Sequence, residues 1–243
     1  MDVSLAQTQA ELLELLRDTV RVLDQNALPY SMICGSLLGA VRHNGFIPWD
    51  DDVDVVMPRE SYEHFAALYP QQCAEGFALD LAETWVPRVR KKGGREFIDL
   101  FVLDPLPQNK LARRMKLLRL QTLQGMLKEH TDYSRFPLGK RVLLRTTHLL
   151  GLPFSKQSKL RRYQRLARMG ELDSPQLHMS DGAFGLLSMP FEASFFDDLV
   201  PAPFENLTVR IPRNAGAVLT RLYGPDYMTP PPVEQRRPIH LDR

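Results

Sequence analysis

Apolar residues recur at three- and four-residue intervals at the start of the chain: Leu5, Leu12, Leu13, Leu16, Val20 and Leu23. Glu11, Glu14, Arg17 and Asp18 fill the rest of the wheel, which predicts an amphipathic helix ending at Asn26 to Pro29. The period then shortens. Tyr30 to Cys34 reads as a buried strand, Gly35-Ser36 as the turn leaving it, and Leu37 to His43 as one or two turns of helix. After the Asn44-Gly45 turn, Asp52 to Met57 alternates Asp with Val as a strand does, and Pro58 stops it. Arg59 to Tyr69 reads as a helix. Phe77 to Leu81 and Trp85 to Val89 read as strands, Lys91 to Gly94 as a hairpin tip, and Glu96 to Leu103 as a further strand. Three helices follow, over Leu111–Lys128, Gly139–Leu150 and Lys156–Met169. Gly182–Met189, Leu199–Pro203 and Glu205–Ile211 look extended, and Asn214–Tyr223 is a helix with Asn214 as N-cap and Gly224 at its end. The pattern predicts an α+β fold, a small mixed sheet covered by helices. At 243 residues it suits one domain over 1–243, with a helical insertion at about 109–170.

Charge changes this picture. The formal net charge is only +2, yet sixteen Lys or Arg and two acids, Glu129 and Asp132, lie between Lys110 and Arg168. One helical block is therefore strongly basic and the remainder acidic. That block lacks interleaved aromatic platforms and any nucleic-acid motif, so nucleic acid is not the expected partner. A solvated helical face is one reading of it. The other is contact with an anionic membrane surface or a phosphorylated, lipid-linked glycan. The two cysteines, Cys34 and Cys73, have no metal or redox spacing. Met1 to Asn26 lacks a secretory leader, and the best apolar run, Val142–Phe154, is too short and too charged to span a membrane. A cytoplasmic protein, peripheral at most to the inner membrane face, is expected.

The densest chemistry lies in CGSLLGAVRHNGFIPWDDDVDVVM, residues 34–57. Asp50, Asp51, Asp52 and Asp54 crowd four carboxylates into five positions, and such like charges persist in a fold only with something positive among them. Strand alternation turns Asp52 and Asp54 to one face. Asp99, inside the apolar run EFIDLFVL, could join them from a neighbouring strand. Hard oxygen ligands suit Mg²⁺ or Mn²⁺, and three carboxylates around such ions suit phosphoryl or nucleotidyl transfer. Gly35 and Ser36 would let backbone N–H groups and a hydroxyl meet phosphates, and Arg42, His43, Arg88, Arg90 and Lys91 are nearby cations for phosphate charge. The competing readings are a solvated acidic loop, a salt bridge from Asp99 to an arginine, an ordinary Gly-Ser turn and exposed surface cations.

The run GSLLGAVRHNGFIPWDDDVDVVMPRESYEHF resembles the signature of the LicD family of phosphotransferases, which includes the fukutin-related proteins. FIDLFVLDPLP, FENLTVRIP and LYGPDYMTPPP extend the resemblance from Tyr30 to Pro232. It implies a nucleotidyltransferase-like fold and transfer of phosphocholine, or another phospho-alcohol such as ribitol phosphate, from CDP-choline or another CDP-alcohol to a glycan hydroxyl. It puts the Gly-Ser motif at Gly35 and Ser36, and the metal-binding acids at Asp50, Asp52, Asp54 and Asp99. Family members often carry Gly-Thr where this chain has Gly-Ser. The implied acceptor is a precursor of lipopolysaccharide, teichoic acid or capsule. A nucleotidyltransferase releasing pyrophosphate from a nucleoside triphosphate, and a catalytically silent nucleotide- or glycan-binding module, are the alternatives.

Overall fold

In the computed structural model, residues 4–81, 85–128 and 137–238 are described, apart from the side chains of Lys140 and Phe184. Glu129, Asp132 and Arg135 of the basic block lie outside them. Helix α1 (Leu5–Gln25) leads to β1 (Ser31–Met32), α2 (Cys34–His43), β2 (Val53–Pro58), α3 (Arg59–Gln72), β3 (Phe77–Asp80), β4 (Arg88–Lys91) and β5 (Phe97–Pro105). Three helices follow: α4 (Lys110–Leu127), α5 (Leu138–Gly151) and α6 (Lys156–Ala167). The chain then returns through β6 (Gln176–Met179), α7 (Phe184–Leu187), β7 (Phe191–Glu192), the hairpin β8 (Leu199–Phe204) and β9 (Leu207–Pro212), and α8 (Ala215–Tyr223). The main sheet runs β1-β2-β5-β4-β3, with β6 on the far end of β5 and β7 beyond it. Among the described strands only β2 and β5 pair parallel; the helix α3 and the β3–β4 hairpin connect them. The mixed α+β architecture is as expected, a curled sheet flanked by helices.

Two apolar clusters hold it. The larger joins α1 (Leu12, Leu15, Leu16), α2 (Leu37, Leu38), β2 and β5, and reaches Phe204, Val209 and Val218 of the C-terminal hairpin and α8. The smaller lies among Leu120, Leu123, Leu127, Tyr163 and Leu166, where α4 and α6 meet Leu187. Asp18 ties α1 to α3: it is buried, pairs with Arg21 and accepts a 2.8 Å hydrogen bond from the Tyr69 hydroxyl.

Four local expectations need correction. Gly35 and Ser36 lie in the first turn of α2 rather than in a turn before it. The chain reverses at Cys34, whose φ of 50° is left-handed, a conformation rare for a non-glycine residue. The second hairpin strand is Arg88–Lys91, not Trp85–Val89, because Pro87 lacks an N–H and the pairing starts where Arg88 faces Asp99. Gly182–Met189 contains a short helix, while the true strand, Gln176–Met179, was unforeseen. Its pairing with Leu103–Pro105 creates it, not its own polar sequence. Glu205 and Asn206 form the tip of the β8–β9 hairpin, so β9 begins only at Leu207.

A buried polar network seats the helical block on the sheet. Asp104 of β5 is fully buried and takes two bonds from the Arg59 guanidinium, one of 2.9 Å. The same guanidinium donates to Gln164 of α6. Gln124 of α4 donates to the Tyr163 hydroxyl and to the Gly182 carbonyl, at 2.8 and 2.7 Å. His178 is buried beside Lys116, and burial, then that ammonium, hold its pKa at about 4. Removing one partner of a buried ion pair strands the other, so Arg59→Ala should cost about 3–5 kcal/mol in urea unfolding. His178 yields a pH signature. The unfolded state binds its proton from about pH 6.5 downward and the folded state only near 4, so stability is lost as pH falls through that window and no further below it. The stability of wild type relative to His178→Gln should fall by on the order of 3 kcal/mol between pH 7 and pH 4.

Candidate active site

The site assembles where β2 and β5 start side by side. Asp54 and Asp99 are register partners on these parallel strands, so their side chains share a face one strand spacing apart, about 4.8 Å between backbones. Asp54 is buried. Burial first, then Asp52, Asp99 and Asp50, push its carboxyl well above the usual carboxylate range. Asp50 is pushed up to about 8 by burial and by Asp52. Asp52 lies just before β2 rather than inside it.

The first turn of α2 closes one side. A side chain at Gly35 would put its Cβ 2.7 Å from Asp50 Oδ2, so only glycine lets that carboxylate lie against the helix start. The Ser36 hydroxyl is buried and accepts a 2.9 Å hydrogen bond from the Asp54 amide, fixing β2 against α2. The Cys34 thiol, raised by burial and by Asp54, stays protonated and unreactive.

Cations approach from two directions. Arg88 of β4 stands opposite Asp99 in the register and donates to its Oδ1 at 2.7 Å, while its guanidinium stacks 3.8 Å over Phe97. The salt-bridge reading of Asp99 is therefore realised, with Arg88 as the partner. Arg42, at the end of α2, feels Asp50, donates to the Tyr227 carbonyl at 3.1 Å and bonds the adjacent His43 ring. Arg90 and Lys91 lie farther toward the hairpin tip, where Arg90 pairs with Asp80 and Lys91 is exposed. The structure thus gathers Asp50, Asp52, Asp54, Asp99, Gly35, Ser36, Arg42, His43 and Arg88 about one sheet edge, and leaves Arg90 and Lys91 along its margin.

Four contributors were missed from sequence. Tyr223, at the end of α8, lies near the cluster although its side chain is about half exposed: desolvation and then Cys34, Asp54, Asp50 and Asp52 raise its phenol. Glu205 accepts from the Phe46 amide at 3.0 Å, and its own amide donates to the Asn44 carbonyl at 2.8 Å, so the β8–β9 tip clamps the loop leading to the acids. Trp49 carries the Arg236 guanidinium 5.1 Å above its ring. Glu205 and Tyr223 sit within FENLTVRIP and LYGPDYMTPPP, so the signal existed, but only the fold shows what they touch.

Asp50, Asp52, Asp54 and Asp99 are the residues that could hold a hard cation. Their oxygens are of the right kind, and their crowding is the charge a divalent ion would relieve. As the side chains stand, no three His, Cys, Asp or Glu among the described residues converge closely enough to hold one ion. Ligation of one ion by three of these carboxylates would therefore require side chains to rotate toward one another.

The mixed sheet flanked by helices is consistent with a nucleotidyltransferase-like fold, and the comparisons with known proteins point the same way. The family model described as LicD/FKTN/FKRP, nucleotidyltransferase domain, matches residues 27–103. The chain is 29% identical over 268 residues to the lipopolysaccharide cholinephosphotransferase LicD of Haemophilus influenzae, covering 98% of this chain and 97% of that one. It is 43% identical over 122 residues to an uncharacterized protein of Rickettsia prowazekii, covering 50% of this chain and 44% of the other. Residues 27–103 thus resemble the LicD-type nucleotidyltransferase domain, and the likeness to one LicD protein runs over nearly the whole chain.

Ser36→Ala should leave the buried Asp54 amide without its partner and lower stability by about 1–3 kcal/mol. Ser36→Thr, which keeps the hydroxyl, should recover most of that loss in the same urea titration.

Proposed function

We propose that this chain is a metal-dependent transferase that moves phosphocholine, or a similar phospho-alcohol, from a CDP-linked donor to a hydroxyl of a cell-surface glycan precursor. The observation that carries the reading is the in-register pair Asp54 and Asp99, with Asp50 and Asp52 crowded beside them and the glycine-opened start of α2 alongside. The near full-length likeness to a lipopolysaccharide cholinephosphotransferase supports phosphocholine as the group and lipopolysaccharide as the acceptor class.

In the reaction, the acceptor oxygen bonds to the phosphorus of the phospho-alcohol, the bond from that phosphorus to the CMP oxygen breaks, and CMP leaves with the electron pair. The hydroxyl proton passes to a carboxylate of the cluster. Asp50, Asp52, Asp54 and Asp99 would hold Mg²⁺ or Mn²⁺, with Asp99 foremost a ligand and secondarily a base. When bound, the ion supplies positive charge to the phosphate oxygens and acidifies a hydroxyl near it. Arg88 and Arg42 face the same edge and would balance donor phosphate charge. The amides at the start of α2, left without intrahelical partners, would receive phosphate oxygens there. The basic helices would complement a phosphorylated, lipid-linked acceptor at the cytoplasmic face of the membrane.

Incubation with Mn²⁺ or Mg²⁺, CDP-choline and a lipopolysaccharide acceptor should release CMP in step with phosphocholine incorporation. Asp54→Asn and Asp99→Asn should each slow this by about 10²-fold or more, and Arg90→Gln should change it little. Pyrophosphate release from CTP without transfer would make the protein a nucleotidyltransferase instead. Tight CDP-choline binding with no turnover would make it a binding module.

A further inference from the structure

Helix α5 is built inside out. Its inner face is small and close-fitting: Leu144 and Thr147 are buried, and Gly151 and Gly125 of α4 have no room for a side chain. A Cβ at Gly125 would lie 2.2 Å from Thr147 Oγ1, and one at Gly151 2.7 Å from Met126 Cβ. The outer face carries Leu138, Val142, Leu143, Leu149 and Leu150, all exposed, with Leu138 at 73% and Leu149 at 63%. At 3.6 residues per turn these five fall within an arc of about 140°, an apolar stripe turned to solvent that also holds Gly139 and Thr146, whose hydroxyl donates to the Val142 carbonyl. Leu152 and Phe154 prolong it past the helix end, both exposed. Isolated exposed leucines are ordinary, but a contiguous stripe of this kind marks an interaction surface.

The surroundings of the stripe identify its partner. Arg141 and Arg145 flank it on α5, and Lys156, Arg161, Arg162 and Arg165 follow on α6. Neither α4, α5 nor α6 contains an Asp or Glu. Apolar residues on one face with cations beside them are the composition of a helix that lies in a lipid interface. A second copy of the chain would bring the same positive charge against itself, whereas an anionic bilayer neutralises it. A span is excluded for α5 by length, since fourteen residues rise only about 21 Å. Among the described residues no helix is long and apolar enough to cross a membrane.

We infer that α5 and the turn after it form a membrane-docking element, which sinks its outer apolar face into the headgroup boundary of an anionic bilayer while the arginines beside it meet lipid phosphates. Cations alone would attract the protein to such a surface. The apolar stripe adds insertion, which salt does not screen. Docking is read without turnover, so this inference stands or falls separately from the transfer reaction.

The test uses the full chain and vesicles of phosphatidylglycerol with phosphatidylcholine, against vesicles of phosphatidylcholine alone. Wild type should co-sediment with the anionic vesicles and keep part of that binding at high salt. The triple variant Val142→Ser, Leu149→Ser, Leu150→Ser should lose about tenfold or more in partitioning. Should the triple variant fail to fold, Leu149→Trp provides the second reading: relative to wild type, its added emission should shift to the blue on anionic vesicles and be quenched by brominated acyl chains. Equal binding by wild type and the triple variant, or an added emission from Leu149→Trp that is indifferent to vesicles, would overturn the inference. So would a wild type that ignores vesicles but forms a dimer dispersed by the triple variant, which would assign the stripe to a second copy.

Discussion

Like charges held together against their own repulsion are the constraint around which this molecule is arranged. Asp54 and Asp99 are brought into register by the parallel pairing of β2 and β5, and Asp50 and Asp52 enter from the loop just before. Carboxylates so close, one of them buried, are unstable unless the scaffold forces them there. The scaffold does so with backbone contacts. The Ser36 hydroxyl fixes the Asp54 amide, the Glu205 carboxylate clamps the loop at Phe46, and the Gln9 side chain donates to the Asp50 carbonyl at 2.9 Å. Elements from both ends of the chain thus converge on the acid-bearing segment.

That constraint also accounts for the division of labour between the two apolar clusters. The larger core braces the strands that carry Asp54 and Asp99, and includes the C-terminal hairpin and α8 that present Glu205 and Tyr223 to the site. The helical block has its own smaller core and joins the sheet through the Arg59–Asp104–Gln164 bridge and the polar contacts of Gln124 and Tyr163. Its outward surface is consequently at liberty to be basic and apolar without disturbing the geometry of the acids.

Much of this was legible in the sequence because local pattern and tertiary role coincide there. The Asp-Val alternation of β2 and the apolar run around Asp99 forecast two strands, and parallel pairing needed only that they be neighbours. The α8 helix was bounded by its own caps: the Asn214 side chain accepts from the Ala217 amide, and Gly224 follows the last turn. What escaped was set by partners distant in the chain. β6 exists because β5 offers it an edge, β4 starts at Arg88 because Asp99 stands opposite, and the reversal before α2 falls on Cys34, a residue with no turn propensity. Tyr223 and Glu205 reach the site through folding alone. The charge of the helical block was plain from composition, but the apolar face of α5 was not, because periodicity alone does not say which face of a helix turns inward.

The central claim is that the crowded acids are completed by a divalent cation, and a thermal melt with and without Mn²⁺ tests it without any assumption about donor or acceptor. Wild type should gain roughly 5–10 °C when Mn²⁺ exceeds its dissociation constant by about a hundredfold. Asp54→Asn should gain little, and without metal it should melt no lower than wild type, because a buried, repelled charge has been removed. An equal Mn²⁺ shift in wild type and Asp54→Asn would contradict the account.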